Sequence, residues 1–222
     1  MCGRFTLFHS LEQIIERFEI ANANELSLSA SYNIAPTEHV LTVINDGKNN
    51  RAGFLRWGLI PSWSKDPSIG NKMINARAES IDTKPSFKPL LANKRCLIIA
   101  DGFYEWRKEG STKQPYYITL KNGGLFAFAG LWTKWQQAEK QVNSCTIITT
   151  EPNDLMSELH SRMPVILPTD KEAKWLNRSE TNPSSLKEYL IPYNSQEMTA
   201  YPVSTKVNSA KNNSPDCIEE IN

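Results

Sequence analysis

Apolar residues in this chain are concentrated in short runs, each bounded by residues that favour turns. Asn45-Asp46-Gly47 predicts the turn of a hairpin between two such runs. Lys121-Asn122-Gly123-Gly124 likewise predicts a hairpin that pairs residues 116–120 with 125–132. The β-branched and aromatic content of the runs is typical of strands, which we predict at residues 40–44, 54–57, 96–100, 145–149, 165–167 and 198–203.

Helical patterns are fewer and lie between the strands. Ser10 and Gln13 have the spacing of a capping box, and Leu11, Ile14 and Phe18 then fall on one face of a helix. Residues 73–79 fit a strand end and a short helix equally well. Further helices are predicted over residues 152–160, from a second capping box at 169–172, and from Pro183 to residue 190.

Many short strands joined by hairpins, with a few irregularly placed helices, predict an α+β fold. We expect a single domain over residues 2–222, built on a largely antiparallel, barrel-like β core with peripheral helices. Residues 205–222 are expected to form a polar C-terminal tail. The pattern argues against a doubly wound parallel sheet, because strands and helices do not alternate.

Composition limits the possible functions without choosing one. The chain has 222 residues and a formal net charge of +1, so any basic surface has to be local. Four cysteines form no CxxC pair and do not cluster with the three histidines, which argues against a metal site. No signal peptide is recognisable, and no run approaches the roughly 20 apolar residues of a membrane span. We therefore expect a cytoplasmic monomer without metal or cofactor, with Cys96 and Cys145 in the core.

Cys2 is the residue with the most unusual chemistry. Removal of Met1 is expected because a small side chain follows it, and would leave Cys2 with an α-amine and a thiol on adjacent carbons. The amine has a reference pKa of about 7.7–8.0, so part of it is neutral and nucleophilic near pH 7. The amine can condense with an aldehyde to an imine, which the thiol then closes to a thiazolidine. Alternatively, Cys2 can act as an N-terminal nucleophile on an amide or ester, with its own amine as the base. A cysteine without any catalytic role would look the same.

Two further residues could transfer protons. Glu105 lies between Tyr104 and Trp106, where partial desolvation would raise its pKa, although a surface glutamate on an alternating strand fits the pattern slightly better. His160 follows a helical apolar face and is equally well a structural or a catalytic histidine.

Amide and guanidinium groups could bind sugar oxygens and phosphates. Asn75 and Arg77 are two positions apart, so they would share one side of an extended segment, as would residues of an ordinary surface strand. Arg4 and Arg162 could add phosphate contacts, and Trp63 could stack on a base.

Together these segments resemble the SRAP family, the SOS-response-associated peptidases, also called abasic-site processing proteins. The resemblance covers nearly the whole chain in the order of the family. It rests on MCGRF (1–5), YNIAP (32–36), WGLIP (57–61), NARAE (75–79), FKPL (87–90), RCLIIADGFYEW (95–106), HSRMP (160–164) and VS (203–204).

The resemblance implies covalent capture of abasic sites in single-stranded DNA. Cys2 would form an imine with the C1′ aldehyde of the opened sugar and close it to a thiazolidine, which protects the strand from cleavage. By the same resemblance Asn75 would hydrogen-bond the opened sugar, Glu105 would act as acid and base, and His160 would shuttle protons. The peptidase name would describe self-cleavage that exposes Cys2, and in a bacterium the protein would associate with the nucleoid.

The resemblance also implies how DNA is held. Arg4, Arg77 and Arg162 would clamp phosphates, while Pro36 and Trp63 would lie near a base-stacking wedge. Some relatives carry two adjacent tryptophans at that point, whereas Trp63 is followed by Ser64, which removes support for one stacking contact.

Two other classes of protein fit part of the pattern. An N-terminal-nucleophile amidohydrolase or glutaminase also begins with Cys and Gly, but requires a four-layer α/β plan. A non-catalytic module that binds single-stranded DNA would share the arginines and aromatics and form no covalent product.

Overall fold

The computed structural model of the protein describes residues 2–221. The strands, numbered in chain order, are β1 (Phe5–Leu7), β2 (Ser31–Ile34), β3 (His39–Asn45), β4 (Asn50–Trp57), β5 (Asn75–Arg77), β6 (Arg95–Ala100), β7 (Gly102–Glu109), β8 (Thr112–Leu120), β9 (Phe126–Gln137), β10 (Lys140–Thr150), β11 (Met163–Pro164), β12 (Ile166–Leu167) and β13 (Met198–Pro202). The α-helices are α1 (Leu11–Phe18), α2 (Lys88–Leu91), α3 (Asp154–Ser157), α4 (Thr169–Leu176) and α5 (Pro183–Lys187). Short 3₁₀ helices are Ala23–Glu25, Pro67–Lys72, Ala78–Ser80, Ser195–Glu197, Thr205–Asn208 and Pro215–Cys217.

Five strands close into a barrel. β3 pairs antiparallel with β4 and β6, and β9 pairs antiparallel with β6 and β10. A parallel contact between β10 and β4 completes the ring. Every residue of β6 is buried, as expected for a strand with partners on both edges and packed faces. The predicted α+β class with a largely antiparallel, barrel-like core is confirmed, and Cys96 and Cys145 are buried in that core.

A second, antiparallel sheet of order β13-β8-β7-β1-β2 packs against the barrel. The two sheets meet at Phe5 of β1, whose ring makes edge contacts with Trp57 at 5.1 Å and with Phe128 at 5.8 Å between ring centroids. Aromatic rings bury large areas and pack with defined geometry, so this contact fixes β1 against the barrel. The first described residues are therefore held between the two sheets.

The ambiguous segment 73–79 contains both elements that its sequence allows. β5 pairs in parallel with β10, with Asn75 opposite Ile147, and the 3₁₀ helix Ala78–Ser80 follows at once. The indole Nε1–H of Trp57 donates to the Ile74 carbonyl at 2.9 Å, which ties the start of β5 to the barrel strand β4.

Locally encoded elements form as predicted. The β3–β4 hairpin is present, and Gly47 in its turn has φ +107°, a conformation that glycine adopts without strain. The capping box of α1 is present too: Ser10 Oγ accepts from the Gln13 N–H at 3.3 Å, and Gln13 Oε1 accepts from the Ser10 N–H at 3.0 Å.

The predicted hairpin of residues 116–120 and 125–132 is wrong. β8 pairs with β7 and β13 in the second sheet, whereas β9 lies between barrel strands. The run in β9 is apolar and buried on both faces, so it is most stable between two other strands of the barrel. β8 belongs to the second sheet and does not pair with it. The turn at 121–124 therefore passes from one sheet to the other.

The second capping box is also wrong. Thr169 is already helical, Pro168 holds the N-cap position, and no side chain caps α4. The side chains of Thr169 and Glu172 bind Arg17 instead. Thr169 Oγ1 accepts a hydrogen bond from the Arg17 guanidinium at 3.0 Å, and the Glu172 carboxylate forms an ion pair with it at 2.8 Å. The other two predicted helices are present but shorter than expected, as α3 and α5.

Residues 205–221, expected as a polar tail, pack along the second sheet. Val207 and Cys217 are completely buried, and Val203 forms a bridge with Glu220. The Tyr104 hydroxyl donates to the Cys217 carbonyl at 3.4 Å. No helix among residues 2–221 is long and apolar enough to cross a membrane.

Candidate active site

Cys2 lies three positions before Phe5, the first residue of β1, and is completely buried. The N–H of Tyr104 donates to the Arg4 carbonyl at 2.9 Å, which continues the antiparallel pairing of β1 with β7. In the same register the next pair is Gly3 with Glu105, so the residues at the start of the chain lie beside Glu105 of β7. The position of Cys2 is therefore set by the strand that follows it.

Cys2 and Glu105 share a desolvated environment. Burial raises the pKa of the Cys2 thiol, and the negative charge of Glu105 raises it further. Glu105 is 2% exposed, and burial raises the pKa of its carboxyl, an effect that the charge of His160 partly opposes. The thiol is thus neutral at pH 7. The raised pKa brings the Glu105 carboxyl closer to the range in which a group can both accept and donate a proton.

Asn75 contacts the backbone of Cys2 from the barrel side. Its Nδ2–H donates to the Cys2 carbonyl at 2.9 Å. Its Oδ1 is buried and accepts no hydrogen bond from the residues that the structure describes. A buried amide oxygen without a donor costs about 1–3 kcal/mol. The unused acceptor beside Cys2 is therefore available for a donor on a bound molecule.

His160 reaches the same region from the end of α3. Its backbone N–H donates to the Met156 carbonyl at 2.8 Å, and its Nδ1 accepts from the Arg162 N–H at 3.0 Å. Nδ1 also lies 3.2 Å from the Arg162 carbonyl, which would accept a proton held on Nδ1, so a neutral ring can carry its proton on either nitrogen. His160 also lines, with Glu105, a cleft of about 480 Å³ whose remaining walls are Trp106, Lys113 and Asn208.

Three of the residues predicted to contact DNA, namely Arg77, Trp63 and Pro36, are exposed or half-buried. Arg77 is exposed at the end of β5, two positions from Asn75. Trp63 is 61% exposed in the loop after β4, and Pro36 is half-buried. The indole Nε1–H of Trp135 donates to the Ser64 carbonyl at 2.8 Å, which holds the Trp63 loop against β9.

Arg4 and Arg162 make internal contacts. Arg4 Nη1 donates to Asn33 Oδ1 at 2.7 Å and to the Val207 carbonyl at 2.8 Å. Arg162 forms a two-pronged ion pair with Glu79. Sequence reasoning assigned no role to Asn33 or Glu79, although both lie within motifs already noted, in YNIAP and NARAE.

Lys113 and Asn208, which line the cleft, were also missed. Each is an exposed polar residue with no sequence signal of its own. Within residues 2–221, no group of three or more His, Cys, Asp or Glu side chains is arranged to hold a metal ion.

A buried cysteine beside a desolvated carboxyl, with a histidine on the adjoining cleft, defines a candidate cysteine-nucleophile site where the second sheet packs against a closed β barrel. The chain belongs to the SRAP (SOS response associated peptidase) family, whose model matches residues 1–210.

The chain is also similar to named relatives and to a solved structure. The chain is 55% identical over 222 residues to the abasic site processing protein YoqW of Bacillus subtilis, covering 99% of each. It is 33% identical over 223 residues to the abasic site processing protein HMCES of Xenopus tropicalis, covering 86% of this chain and 66% of that one. A crystal structure of a protein from Bacteroides thetaiotaomicron has a TM-score of 0.88 and 27% identity, covering 99% of this chain and 100% of that one.

Proposed function

We propose that this protein processes abasic sites in single-stranded DNA by capturing the opened sugar on Cys2. The observation that carries the proposal is the meeting of Cys2, Asn75 and Glu105 where β1, β5 and β7 come together. The names of its relatives support the substrate. Met1, whose removal the mechanism requires, lies outside the described residues.

The reaction joins an aldehyde to an aminothiol with loss of one water. The Cys2 amine attacks C1′ to give a carbinolamine, which accepts a proton on oxygen and loses water to give an imine. The thiol then adds to C1′, its proton ends on the ring nitrogen, and a thiazolidine results. Closing the ring removes the imine, the species from which β-elimination would cut the strand.

Glu105 would move the protons at both stages. Because burial keeps the Cys2 thiol protonated, a base is needed when sulfur attacks, and the neighbouring carboxylate can accept that proton. The raised pKa of Glu105 also lets its acid form donate to the departing hydroxyl. His160, which lines the same cleft as Glu105, would exchange protons between this pair and the cleft.

Asn75 would orient the substrate. Opening the sugar ring leaves a hydroxyl on C4′, and the buried Oδ1 of Asn75 needs a donor of that kind. Its Nδ2–H meanwhile holds the Cys2 backbone, so one side chain would position both reactants.

DNA would run across the exposed face around this site. Arg77 and Trp63 are the exposed members of the predicted set, suited to a phosphate and a base respectively. The internal partners of Arg4 support a role in holding the front of the chain, and its contact with a phosphate stays a prediction from the resemblance. We further propose self-cleavage after Met1, action as a monomer, and a cytoplasmic, nucleoid-associated location.

The test is a denaturing gel of protein incubated with a single strand that contains one abasic site. We expect a heat-stable shifted band that Cys2→Ala abolishes and that Cys2→Ser gives at most in labile form. Cys96→Ala, which removes a buried thiol of the barrel, should retain the band. Intact-mass measurement should show loss of Met1 in the active protein.

Two outcomes would overturn the proposal. If wild type and Cys2→Ala give the same heat-stable band, Cys2 is not the crosslinking residue. If neither gives a band while both bind DNA, the chain is a non-covalent binding module. An N-terminal-nucleophile amidohydrolase is not favoured, because the closed barrel with one additional sheet lacks the four-layer plan of that class.

A further inference from the structure

Glu79 and Arg162 form an ion pair close to the proposed DNA face. Both terminal nitrogens of the guanidinium donate to the carboxylate, with Arg162 Nη2 at 3.0 Å from Glu79 Oε2. The Glu79 side chain is 55% exposed, whereas that of Arg162 is 17% exposed. The carboxylate is thus the solvent-facing half of the pair, and the guanidinium is fixed behind it.

The protein holds Arg162 in place independently of Glu79. Arg162 Nη2 also donates to the Thr149 carbonyl at 2.7 Å. Thr149 is the β10 residue paired with Arg77 of β5, so the two arginines flank the same residue of the barrel. Glu79 follows Arg77 by two positions, in the 3₁₀ helix that ends β5. The hydrogen bond with Arg162 lowers the pKa of the Glu79 carboxyl, and the charge of Arg77 lowers it further, so Glu79 interacts with both arginines.

A planar guanidinium binds carboxylate and phosphate through the same two-pronged geometry. We propose that Glu79 occupies, in the free protein, a phosphate position on Arg162 that a DNA strand takes over on binding. This inference rests on the proposed function, since it supplies the regulation of that site. Binding then exchanges an internal ion pair for an external one and leaves the Glu79 carboxylate to water.

The exchange lowers affinity and reduces the salt dependence of binding. An exposed ion pair stabilises only weakly, so Glu79→Gln should tighten binding by about 1.4- to 5-fold at low salt. The wild-type Arg162–Glu79 pair is neutral, and a displaced Glu79 takes up a cation. The variant should therefore release about one more counterion, which makes the slope of log affinity against log salt steeper by about 0.7.

The experiment measures fluorescence anisotropy of an undamaged labelled single strand with protein carrying Cys2→Ala, so that only non-covalent binding is observed. Glu79→Gln should show the tighter binding and the steeper slope. The gain in affinity from Glu79→Gln should disappear in proteins that also carry Arg162→Gln. It should be smaller in proteins that carry Arg162→Lys, which keeps the positive charge but lacks the two-pronged guanidinium geometry. Thermal melting of each variant verifies that it is folded.

The matched control is Glu25→Gln, which removes the same charge from the exposed pair of Glu25 with Arg51. It should change affinity less than Glu79→Gln does. Equal gains from both variants, or a gain that persists with Arg162→Gln, would overturn the inference in favour of net charge alone. Weaker binding by Glu79→Gln would also overturn it, because Glu79 would then be a support for Arg162.

Covalent capture is measured separately, on the abasic strand with Cys2 intact. Crosslinking by wild type together with unchanged binding by Glu79→Gln overturns this inference and leaves the proposed function standing. A binding gain without any crosslink supports the phosphate position and overturns the covalent mechanism.

Discussion

Replacing Glu105 by Gln should make the protein more stable and much less reactive. The change keeps the shape of the side chain and removes its charge at a position that is 2% exposed. If Glu105 is a desolvated acid–base group, the native fold bears the cost of its ionisation for the sake of the reaction. A purely structural glutamate would give the opposite result for stability.

The magnitude follows from burial. Relief of a desolvated carboxylate is worth about 1–3 kcal/mol at neutral pH, reduced by the lost attraction to His160. For a chain of this size that amounts to a rise in Tm of about 2–12 °C. Losing a general acid–base group should slow crosslinking by about 10²–10⁴-fold.

The pH dependence provides a signature. Below the ordinary pKa of a glutamate, about 4.3, the carboxyl is protonated in the folded and unfolded chain, and the stabilities of the two proteins converge. As pH rises, the unfolded chain loses its proton first because the folded pKa is raised, so wild type becomes less stable relative to Glu105→Gln until the folded pKa is passed.

Melting curves between pH 4.5 and 8 and single-turnover crosslinking on denaturing gels measure both effects. Glu109→Gln, on the exposed end of the same strand, is the control and should change stability by less than about 0.5 kcal/mol. The reasoning is refuted if Glu105→Gln crosslinks at the wild-type rate, or if it destabilises the fold equally at every pH.

Two stability predictions follow from packing. Gly102→Ala would place a Cβ 2.0 Å from the hydroxyl oxygen of Tyr117, a buried ring that cannot move aside, and should cost more than about 3 kcal/mol in a urea titration. Arg17→Met would leave the carboxylate of Glu172, which is 6% exposed, without its cation and should cost about 3 kcal/mol near pH 7. That second loss should shrink as pH falls, since burial raises the pKa of Glu172 and protonation removes the uncompensated charge.

Each of these changes has a control elsewhere in the chain. Gly53→Ala adds a methyl group with no atom within 4 Å and should be neutral or slightly stabilising, so an equal loss at both glycines would refute the steric explanation. Arg51→Met breaks an exposed pair with Glu25 and should cost less than about 1 kcal/mol. A comparable loss at Arg17 would mean that burial of Glu172 is not decisive.

Some features of the candidate site could be predicted from residues that are neighbours in the sequence, and others depend on residues that only the fold brings together. That Glu105 is desolvated could be suspected from its aromatic neighbours, and the chemistry of Cys2 follows from its own atoms. The hydrogen bond from Asn75 to Cys2 joins residues on different sheets, so no spacing in the sequence predicts it. The pairing of Glu79 with Arg162 likewise spans 83 positions.

The sequence by itself determined what a few neighbouring residues can complete among themselves: the capping box at Ser10, the turn at Gly47 with its hairpin, and the α+β class. Tertiary structure alone decided which strands are neighbours and which polar groups pair. β8 and β9 have hairpin-like sequences, yet the apolar run of β9 is stabilised most by burial on both faces inside the barrel. Thr169 and Glu172 have the spacing of a helix cap, yet a buried carboxylate gains more from a distant guanidinium than from a backbone N–H. Local hydrogen bonds depend on spacing along the chain, whereas burial and charge pairing depend on what the fold brings together.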